Sequence, residues 1–168
     1  AAYQGANVLI WAMEMSRFEV MARFYASMSA RQGEMRATID GVDMEVGFPN
    51  RDMLGGSLTE EMEEALESFL STMNDVLPGN ITIRAADDED FGSRSLRDLE
   101  SDIIRTKADV VVIDPFYYLD YEANTSRTTG GDAANTSVKL RALAGRTRTV
   151  IHAITQADED GQKSDDSR

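Results

Sequence analysis

The sequence contains no cysteine, which excludes disulfide bonds and thiolate metal ligands. This absence fits a reducing cytosol, where disulfides do not persist. No apolar run approaches the roughly 18–20 residues that a membrane-spanning helix needs, and no signal peptide is visible. We therefore expect a protein with no membrane partner.

Basic residues are also scarce, with 17 Lys and Arg against 30 Asp and Glu and a net charge of −13. An acidic chain gains no general attraction to phosphate backbones, so its charge argues against nucleic-acid binding. What the sequence does contain is an apolar fraction of 42% over 168 residues. That is enough for one domain with a substantial core.

Short apolar runs alternate with helical patterns along the chain, which predicts an α/β fold with a parallel sheet. Residues 32–56 are rich in glycine and are predicted to be irregular or to contain a short helix. The predicted strands span residues 7–13, 81–85, 110–113 and 149–155. The run 110–113 has no polar alternation, which is typical of a strand covered on both faces.

Serines mark the expected beginnings of three helices. Ser16 with Glu19, and Ser57 with Glu60, match the capping box, in which each side chain satisfies a free backbone N–H. Ser95 precedes a third helix, and a fourth helix is expected after a polar loop and to end near Gly145. The apolar residues predicted to face the core are Phe18, Met21, Phe24, Tyr25, Met28, Met62, Leu66, Phe69, Leu70, Met73, Leu96, Leu99 and Ile103.

Polar side chains follow three of the predicted strands: Glu14, Asp114 and Gln156. Ligands bind at the carboxyl ends of strands in open α/β sheets, so these side chains share one crevice if their strands are neighbours. An acid there can orient Mg²⁺ through its waters or take a proton from an attacking water. A glutamine can hydrogen-bond a phosphate. This set of side chains suits nucleotide hydrolysis.

Each of these residues also has a purely structural interpretation. Glu14 can be an acid favoured near a helix N-terminus, and Asp114 before Pro115 can be a turn residue. Gln156 by itself carries almost no information. His152, the single histidine, lies in the middle of a predicted strand and is expected to be a core residue rather than a ligand.

Together these features resemble the RecA-like C-terminal ATPase domain of DnaB-type hexameric replicative DNA helicases. The matching pieces, in family order, are VLIWAMEMSRFEVMARFYASMSA, ADVVVIDPFYYLDYE and VKLRALAGRTRTVIHAITQA. The resemblance implies a RecA-like P-loop NTPase with three α/β/α layers and a mostly parallel sheet. It covers nearly the whole chain and is loosest over residues 32–56.

The resemblance also implies a role for each strand-end residue. Glu14 is the expected base that polarises the hydrolytic water, and Asp114 is the expected Walker B acid acting on Mg²⁺ through water. Gln156 is the expected sensor of the γ-phosphate. The implied cofactors are ATP and Mg²⁺, the implied partners are single-stranded DNA and further copies in a hexameric ring, and the implied location is the cytoplasm of a bacterial or phage-infected cell.

The sequence departs from the family at its most important motif. It has no Gly-x-x-x-x-Gly-Lys-Ser/Thr run, whose backbone N–H groups hold the phosphates. DGQKS at 160–164 lacks the Gly-Lys pair and a preceding strand. Pro115 replaces the tyrosine common after the Walker B acid, which brings the smaller RepA-type helicases into consideration.

These departures suggest an internal piece of a helicase that lacks the P-loop strand and the last strands. Residues 1–155 are then a partial motor domain, and 156–168 an acidic tail that begins a DNA-contacting loop or is disordered. We expect little ATPase activity and no tight nucleotide binding from this chain alone. The strand 149–155 is expected to be an exposed edge through which the chain self-associates.

Two other interpretations remain open. The chain can belong to a RecA- or KaiC-like ATPase of recombination or signalling. It can also be a non-catalytic assembly module without a P-loop. The gene sequence upstream of Ala1 separates the last interpretation from the first.

Overall fold

The computed structural model describes residues 1–125 and 131–156. Six strands and five α-helices occur in these ranges, with single 3₁₀ turns at Ala2–Gln4 and Phe116–Tyr118. The strands are β1 (Val8–Ala12), β2 (Met35–Ile39), β3 (Val42–Val46), β4 (Ile81–Ala85), β5 (Val110–Asp114) and β6 (Val150–Ala153). The helices are α1 (Arg17–Gln32), α2 (Asn50–Gly55), α3 (Glu60–Val76), α4 (Leu96–Thr106) and α5 (Gly131–Thr147).

Four strands form a parallel sheet in the order β4-β1-β5-β6. The chain crosses from β1 to β4 in one direction and returns through β5 to β6 in the other. Because such crossovers are right-handed, the helices of the two halves lie on opposite faces of the sheet. The predicted three-layer α/β/α arrangement with a mostly parallel sheet is confirmed.

One face of the sheet packs against α4 and α5 and forms the larger core. Trp11 is fully buried there, and its ring meets the edge of Phe91 at a centroid distance of 5.0 Å. Its indole Nε1 donates a hydrogen bond of 3.0 Å to Asp102, so this buried polar atom is satisfied. The other buried apolar residues of this core include Leu9, Met13, Leu96, Leu99, Ile103, Val111, Ile113, Leu119, Leu140 and Leu143.

The opposite face packs against α1, through Ile10, Ala12 and Val20. The far side of α1 contacts α2 and α3 in a second cluster built on Phe48 and Phe69. Ser16 begins α1 with the predicted capping box, since its side chain accepts from the Glu19 N–H and the Glu19 carboxylate accepts from the Ser16 N–H. The hydrogen bonds that the Glu19 carboxylate accepts from the Ser16 N–H and the Ser16 hydroxyl lower the pKa of Glu19.

Residues 32–56 were predicted to be irregular or to contain a short helix; the short helix is present, but the rest of the segment is regular rather than irregular. They form an antiparallel hairpin of β2 and β3, followed by the short helix α2. Asp40 and Gly41 form the turn with φ values of 51° and 79°. This is the positive-φ turn that an Asp-Gly pair favours between alternating strands, because it matches the right-handed twist.

Several smaller predictions also differ from the structure. Helix α3 is capped by Thr59, whose hydroxyl accepts from the Met62 N–H, and not by Ser57. Phe18 and Leu70 were expected to be buried but are 57% and 38% exposed. His152 was expected in the core and is exposed on β6.

Strand β5 is covered more completely on one face than on the other. Val111 and Ile113 are fully buried beneath α4 and α5, whereas Val110 and Val112 on the α1 face are only half-buried. The prediction of a strand covered on both faces therefore holds on one face alone. Next to it, β6 is an edge strand, and Val150 and Ile154 are 56% and 44% exposed.

Candidate functional site

The three strands that carry the candidate residues are neighbours, so their carboxyl ends meet at one edge of the sheet. Ala12 pairs with Asp114, and Ile113 pairs with Ala153. The Met13 N–H donates to the Asp114 carbonyl at 2.8 Å, and the Ile154 N–H donates to the Ile113 carbonyl at 2.9 Å. We call this edge, where Glu14, Asp114 and Gln156 follow their strands, the carboxyl edge.

Asp114 is the last residue of β5, and its side chain is half-buried. It lines a cavity of about 320 Å³ between α1 and the sheet. The other lining residues are mostly apolar, and Arg23 and Ser27 of α1 are the polar contributors apart from Asp114. Val112, the half-buried residue of β5 on this face, lines the same cavity as Asp114.

Glu14 lies two residues beyond β1 and is exposed. Its segment is fixed by its neighbours: the Ala86 N–H donates to the Met15 carbonyl at 3.1 Å, and the Arg17 N–H donates to Asp87 at 2.7 Å. Among the described residues, neither the Glu14 nor the Asp114 carboxylate accepts a hydrogen bond or forms an ion pair. Both carboxylates are therefore available to a ligand.

The segment between β1 and α1 is also held by an ion pair. The Arg17 guanidinium donates three hydrogen bonds to the Asp88 carboxylate, at 2.7, 2.8 and 3.2 Å. Burial acts to raise the pKa of Asp88, but these bonds and one from the Ala85 N–H prevail, so that pKa is lowered. This pairing fixes the loop after β4 against the beginning of α1.

Sequence reasoning missed Tyr117, which follows Asp114 in the 3₁₀ turn Phe116–Tyr118. Partial burial raises the pKa of Tyr117, and the negative charges of Glu14 and Asp114 raise it further. Tyr117 is thus electrostatically coupled to both acids of the carboxyl edge. The signal in the sequence was the aromatic run FYYLDY directly after Asp114 and Pro115.

The aromatic segment is held in place from two sides. The Phe116 N–H donates to the Ile154 carbonyl at 2.7 Å, which ties the end of β5 to the end of β6. The Arg94 N–H donates to the Asp120 carboxylate at 2.8 Å, and the Asp120 N–H donates to the Arg94 carbonyl at 3.1 Å. The Arg94 guanidinium also stacks over the Tyr118 ring at 5.7 Å. The segment is thus a fixed wall of the carboxyl edge.

Gln156 is exposed and is the last residue that the structure describes. It lies three residues beyond β6, which is the strand adjacent to β5. The predicted acidic tail lies outside the described residues from 157 onward.

Within residues 1–125 and 131–156, no group of three or more histidine or acidic side chains is placed to hold a metal ion. Mg²⁺, however, keeps several waters and binds to proteins through one or two carboxylates together with substrate phosphates. Asp114 and Glu14 fit that donor set. They do not form an all-protein metal site.

The described helices include none that is both long and apolar enough to span a bilayer.

No protein-family model matches the sequence, and no curated protein matches it. Among solved structures, the chain is similar to a DnaB-like replicative helicase, from a structure that describes that helicase and its interactions with primase. The TM-score is 0.64 at 16% identity, over 99% of this chain and 36% of that one. This likeness shows that the chain shares its fold with part of that protein, and the chain spans about a third of that protein's length.

Proposed function

We propose that this chain is part of an ATP-dependent DNA helicase motor, in which nucleotide hydrolysis at the carboxyl edge drives movement along single-stranded DNA. The observation that carries the proposal is the adjacency of β1, β5 and β6, which brings Glu14, Asp114 and Gln156 to one edge. The fold likeness to a DnaB-like replicative helicase supports it.

The environments of the two acids support different roles for them. Asp114 is half-buried and fixed by the sheet, which suits an acid that orients the waters of a magnesium ion. Glu14 is exposed on the segment after β1, which suits a base that accepts a proton from a water. A bound Mg²⁺ would neutralise the phosphate charge that develops as the γ-phosphoryl group is transferred.

Gln156 is the proposed sensor of the γ-phosphate. Its strand is tied to the segment after Asp114 by the bond between the Phe116 N–H and the Ile154 carbonyl. A hydrogen bond from Gln156 to the γ-phosphate would therefore couple nucleotide state to the end of β6. The chain after Gln156 is the proposed contact with single-stranded DNA.

The phosphates themselves need a cradle that no part of this sequence supplies, because the Gly-Lys-Ser/Thr motif is absent from all 168 residues. We therefore propose that hydrolysis requires a P-loop outside this sequence. We also propose that the complete protein, with its P-loop, assembles into a ring of six copies.

The test is the Glu14→Gln variant of the full-length gene product. We expect turnover of ATP to fall by at least about 100-fold, because a general base contributes 10²–10⁴ to the rate. Nucleotide binding should be retained, since glutamine keeps the size of the side chain. Glu61→Gln, at an exposed position on α3, is the matched control and should keep full turnover. If Glu14→Gln keeps full turnover, Glu14 is not the base, and its position is explained by the preference for an acid near a helix N-terminus.

A non-catalytic assembly module is the second candidate, and the missing phosphate-binding motif favours it. The two candidates differ in what the full gene encodes upstream. A Gly-x-x-x-x-Gly-Lys-Ser/Thr loop there would support the motor. A full-length product that has no such loop and binds no ATP would support the module.

A further inference from the structure

We propose that Asp88 is a positioning residue for Glu14, because its ion pair with Arg17 holds the segment that carries Glu14 at the carboxyl edge. The inference rests on the proposed function, in which Glu14 is the general base. It adds to that site a residue that acts through the fold and not on the reacting atoms. Asp88 belongs to the turn after β4 at residues 86–91, which we call the 86–91 loop.

Glu14 depends on its neighbours in the chain for its position. Within the part of the chain that the structure describes, its carboxylate accepts no hydrogen bond and forms no ion pair. On the side of β1, the Met13 N–H donates to the Asp114 carbonyl at 2.8 Å, which fixes the chain up to Met13. On the side of α1, the next hydrogen bonds are made with the 86–91 loop. The loop therefore sets where the backbone of Glu14 leaves the sheet.

Three consecutive residues of the loop hold the segment that leads into α1. The Ala86 N–H donates to the Met15 carbonyl at 3.1 Å. The Asp87 carboxylate accepts from the Arg17 N–H at 2.7 Å. The Asp88 carboxylate accepts three hydrogen bonds from the Arg17 guanidinium, at 2.7, 2.8 and 3.2 Å. The last contact joins two opposite charges, and charge-assisted bonds of this kind are about twice as strong as neutral ones.

The Asp88 carboxylate is more enclosed than its partner. Its side chain is 12% exposed, against 46% for Arg17. It also accepts from the N–H of Ala85, the last residue of β4, at 3.1 Å. Burial acts to raise the pKa of Asp88, but the hydrogen bonds from Arg17 and Ala85 outweigh it and lower that pKa. Asp88 therefore keeps its charge at neutral pH and connects the end of β4 to the beginning of α1.

The other end of the 86–91 loop is anchored in the larger core. Arg84 of β4 donates to the Asp90 carboxylate at 2.7 Å and to the Asp90 carbonyl at 3.1 Å. Its guanidinium stacks over the Phe91 ring at 5.1 Å, and that ring packs against the buried Trp11 of β1. The core thus fixes the loop, so the position of Asp88 does not depend on Arg17.

The pair with Asp88 is not needed to start α1. Ser16 and Glu19 already form a complete capping box at the first turn of that helix. The ion pair between Arg17 and Asp88 therefore determines where α1 begins relative to β4, and not whether it forms. Glu14 lies between β1 and that helix start, so a shift of the helix start moves Glu14 relative to the rest of the carboxyl edge.

Steady-state ATPase kinetics of the full-length gene product test the proposal. We expect kcat of Asp88→Asn to fall by about 10- to 100-fold, because a misplacement of about 1 Å costs up to 100-fold. The KM for ATP should change by less than about twofold, since an interaction that acts only in the transition state affects kcat alone.

Glu89→Gln is the matched control for this measurement. Glu89 is the next residue of the same loop, is exposed, and makes no hydrogen bond or ion pair with the residues that the structure describes. The variant removes the same charge and should keep full kcat. Equal kcat values for Asp88→Asn and Glu89→Gln, or a change confined to KM in Asp88→Asn, would overturn the proposal.

Arg17→Gln breaks the same ion pair from its exposed side and guards against loss of folding as the explanation. We expect it to lower kcat by about the same factor as Asp88→Asn, and the double variant to fall no further, because both changes remove one shared contact. Circular dichroism checks that each variant folds. Losses in kcat that add in the double variant would mean that the two residues act separately, contrary to the proposal.

Tyr117 provides a readout that needs no turnover and that a purely structural role of Asp88 would not alter. Partial burial raises the pKa of Tyr117, and the charge of Glu14 raises it further. If Asp88→Asn moves Glu14 away, an NMR pH titration should show a lower Tyr117 pKa. The same substitution made in Glu14→Gln should leave that pKa unchanged. Equal lowering in both backgrounds would be an effect of the Asp88 charge itself and would refute the positioning role.

The two measurements separate this proposal from the proposed function. If Glu14→Gln loses turnover while Asp88→Asn keeps it, Glu14 is the base and Asp88 does not position it. If Glu14→Gln keeps turnover, the proposed role of Glu14 fails. The Tyr117 titration then still decides whether Asp88 holds Glu14 at the carboxyl edge.

Discussion

Tyr117 is the residue that reports on the candidate site most directly. It lies beside Asp114 in the chain, and its pKa is raised by partial burial and by the charge of Glu14, with a smaller contribution from Asp114. A negative charge disfavours the tyrosinate form, so each acid holds the proton on the phenol. The phenol is thus a probe of both carboxylates that needs no nucleotide.

We expect Glu14→Gln to lower the pKa of Tyr117 toward the ordinary tyrosine value of about 10, because one of the opposing charges is removed. Asp114→Asn should lower it less. The measurement is an NMR pH titration of tyrosine labelled at Cζ, with Tyr117→Phe to assign the signal. Glu61→Gln on α3 is the control and should leave the titration unchanged. If the pKa of Tyr117 is the same in Glu14→Gln as in the natural sequence, the Glu14 carboxylate does not lie at the carboxyl edge.

At the scale of elements, sequence patterns predicted the parts whose causes are local. Strand β4 has the predicted bounds, and Ser16 and Ser95 begin their helices as expected. The cause in each helix is a hydroxyl that accepts an N–H of the first turn. For Ser95 this is the Asp98 N–H, while the serine hydroxyls around Asp98 lower its pKa.

The hairpin of β2 and β3 was missed because its glycines were interpreted as breaks in regular structure. Asp40-Gly41 instead forms the turn, and apolar residues alternate with polar ones on both sides of it. Met35, Ala37 and Ile39 face the same way along β2. The pattern was therefore present, and the error was to weigh glycine content above alternation.

Gly47, directly after β3, lies where the chain passes close to α1. A Cβ at this position would lie 2.5 Å from the Ala26 carbonyl oxygen and from the Ala30 nitrogen, both backbone atoms of α1. The close approach lets the Phe48 N–H donate to the buried Ser29 hydroxyl at 2.9 Å. The residue after β3 is glycine because no side chain fits against α1.

We expect Gly47→Ala to reduce the free energy of unfolding by about 1–3 kcal/mol, because the helix backbone must move to admit the methyl group. Urea unfolding measures this change. Gly92→Ala is the matched control, since no atom lies within 4 Å of a Cβ at that position. Equal stability of the two variants would contradict the close approach at Gly47.

At the scale of the whole molecule, the sequence predicted that Glu14, Asp114 and Gln156 lie at or just beyond strand ends, but not what surrounds them. Parallel strands place their carboxyl ends together, so the shared edge of Glu14, Asp114 and Gln156 followed from neighbouring strands alone. The position of Tyr117 depends on how the 116–120 segment docks on Arg94 and Ile154. No local pattern encodes contacts between segments so far apart in the chain.

The exposure of His152 also results from the arrangement of the whole sheet. An apolar strand is predicted to be buried because most such strands lie inside a sheet. Here β6 is the last strand of the sheet order, and α1 lies over β1 and β4 rather than over β6. The side chains of β6 on that face therefore meet solvent, which is a property of strand order and not of the strand itself.

Nucleotide binding is also a property of the whole molecule, because the residues that contact a nucleotide lie far apart in the sequence. The carboxyl edge offers two free carboxylates and a glutamine, but carboxylates repel phosphate unless a cation and a cradle of backbone N–H groups are present. The sequence has no Gly-Lys-Ser/Thr motif to form that cradle. We therefore expect ATP with Mg²⁺ at about 1 mM to raise the melting temperature of this chain by no more than about one degree.

Differential scanning fluorimetry of the chain with ATP·Mg²⁺, with Mg²⁺ alone and with neither measures this shift. Asp114→Asn is the matched variant, since it removes the proposed magnesium-orienting charge without changing the size of the side chain. A shift of several degrees that disappears in Asp114→Asn would mean that the carboxyl edge binds nucleotide without a P-loop. The phosphate contacts would then have to come from the residues around the cavity beneath α1, among which Arg23 is the cation. A shift that persists in Asp114→Asn would instead place the nucleotide away from β5 and separate binding from the proposed catalytic residues.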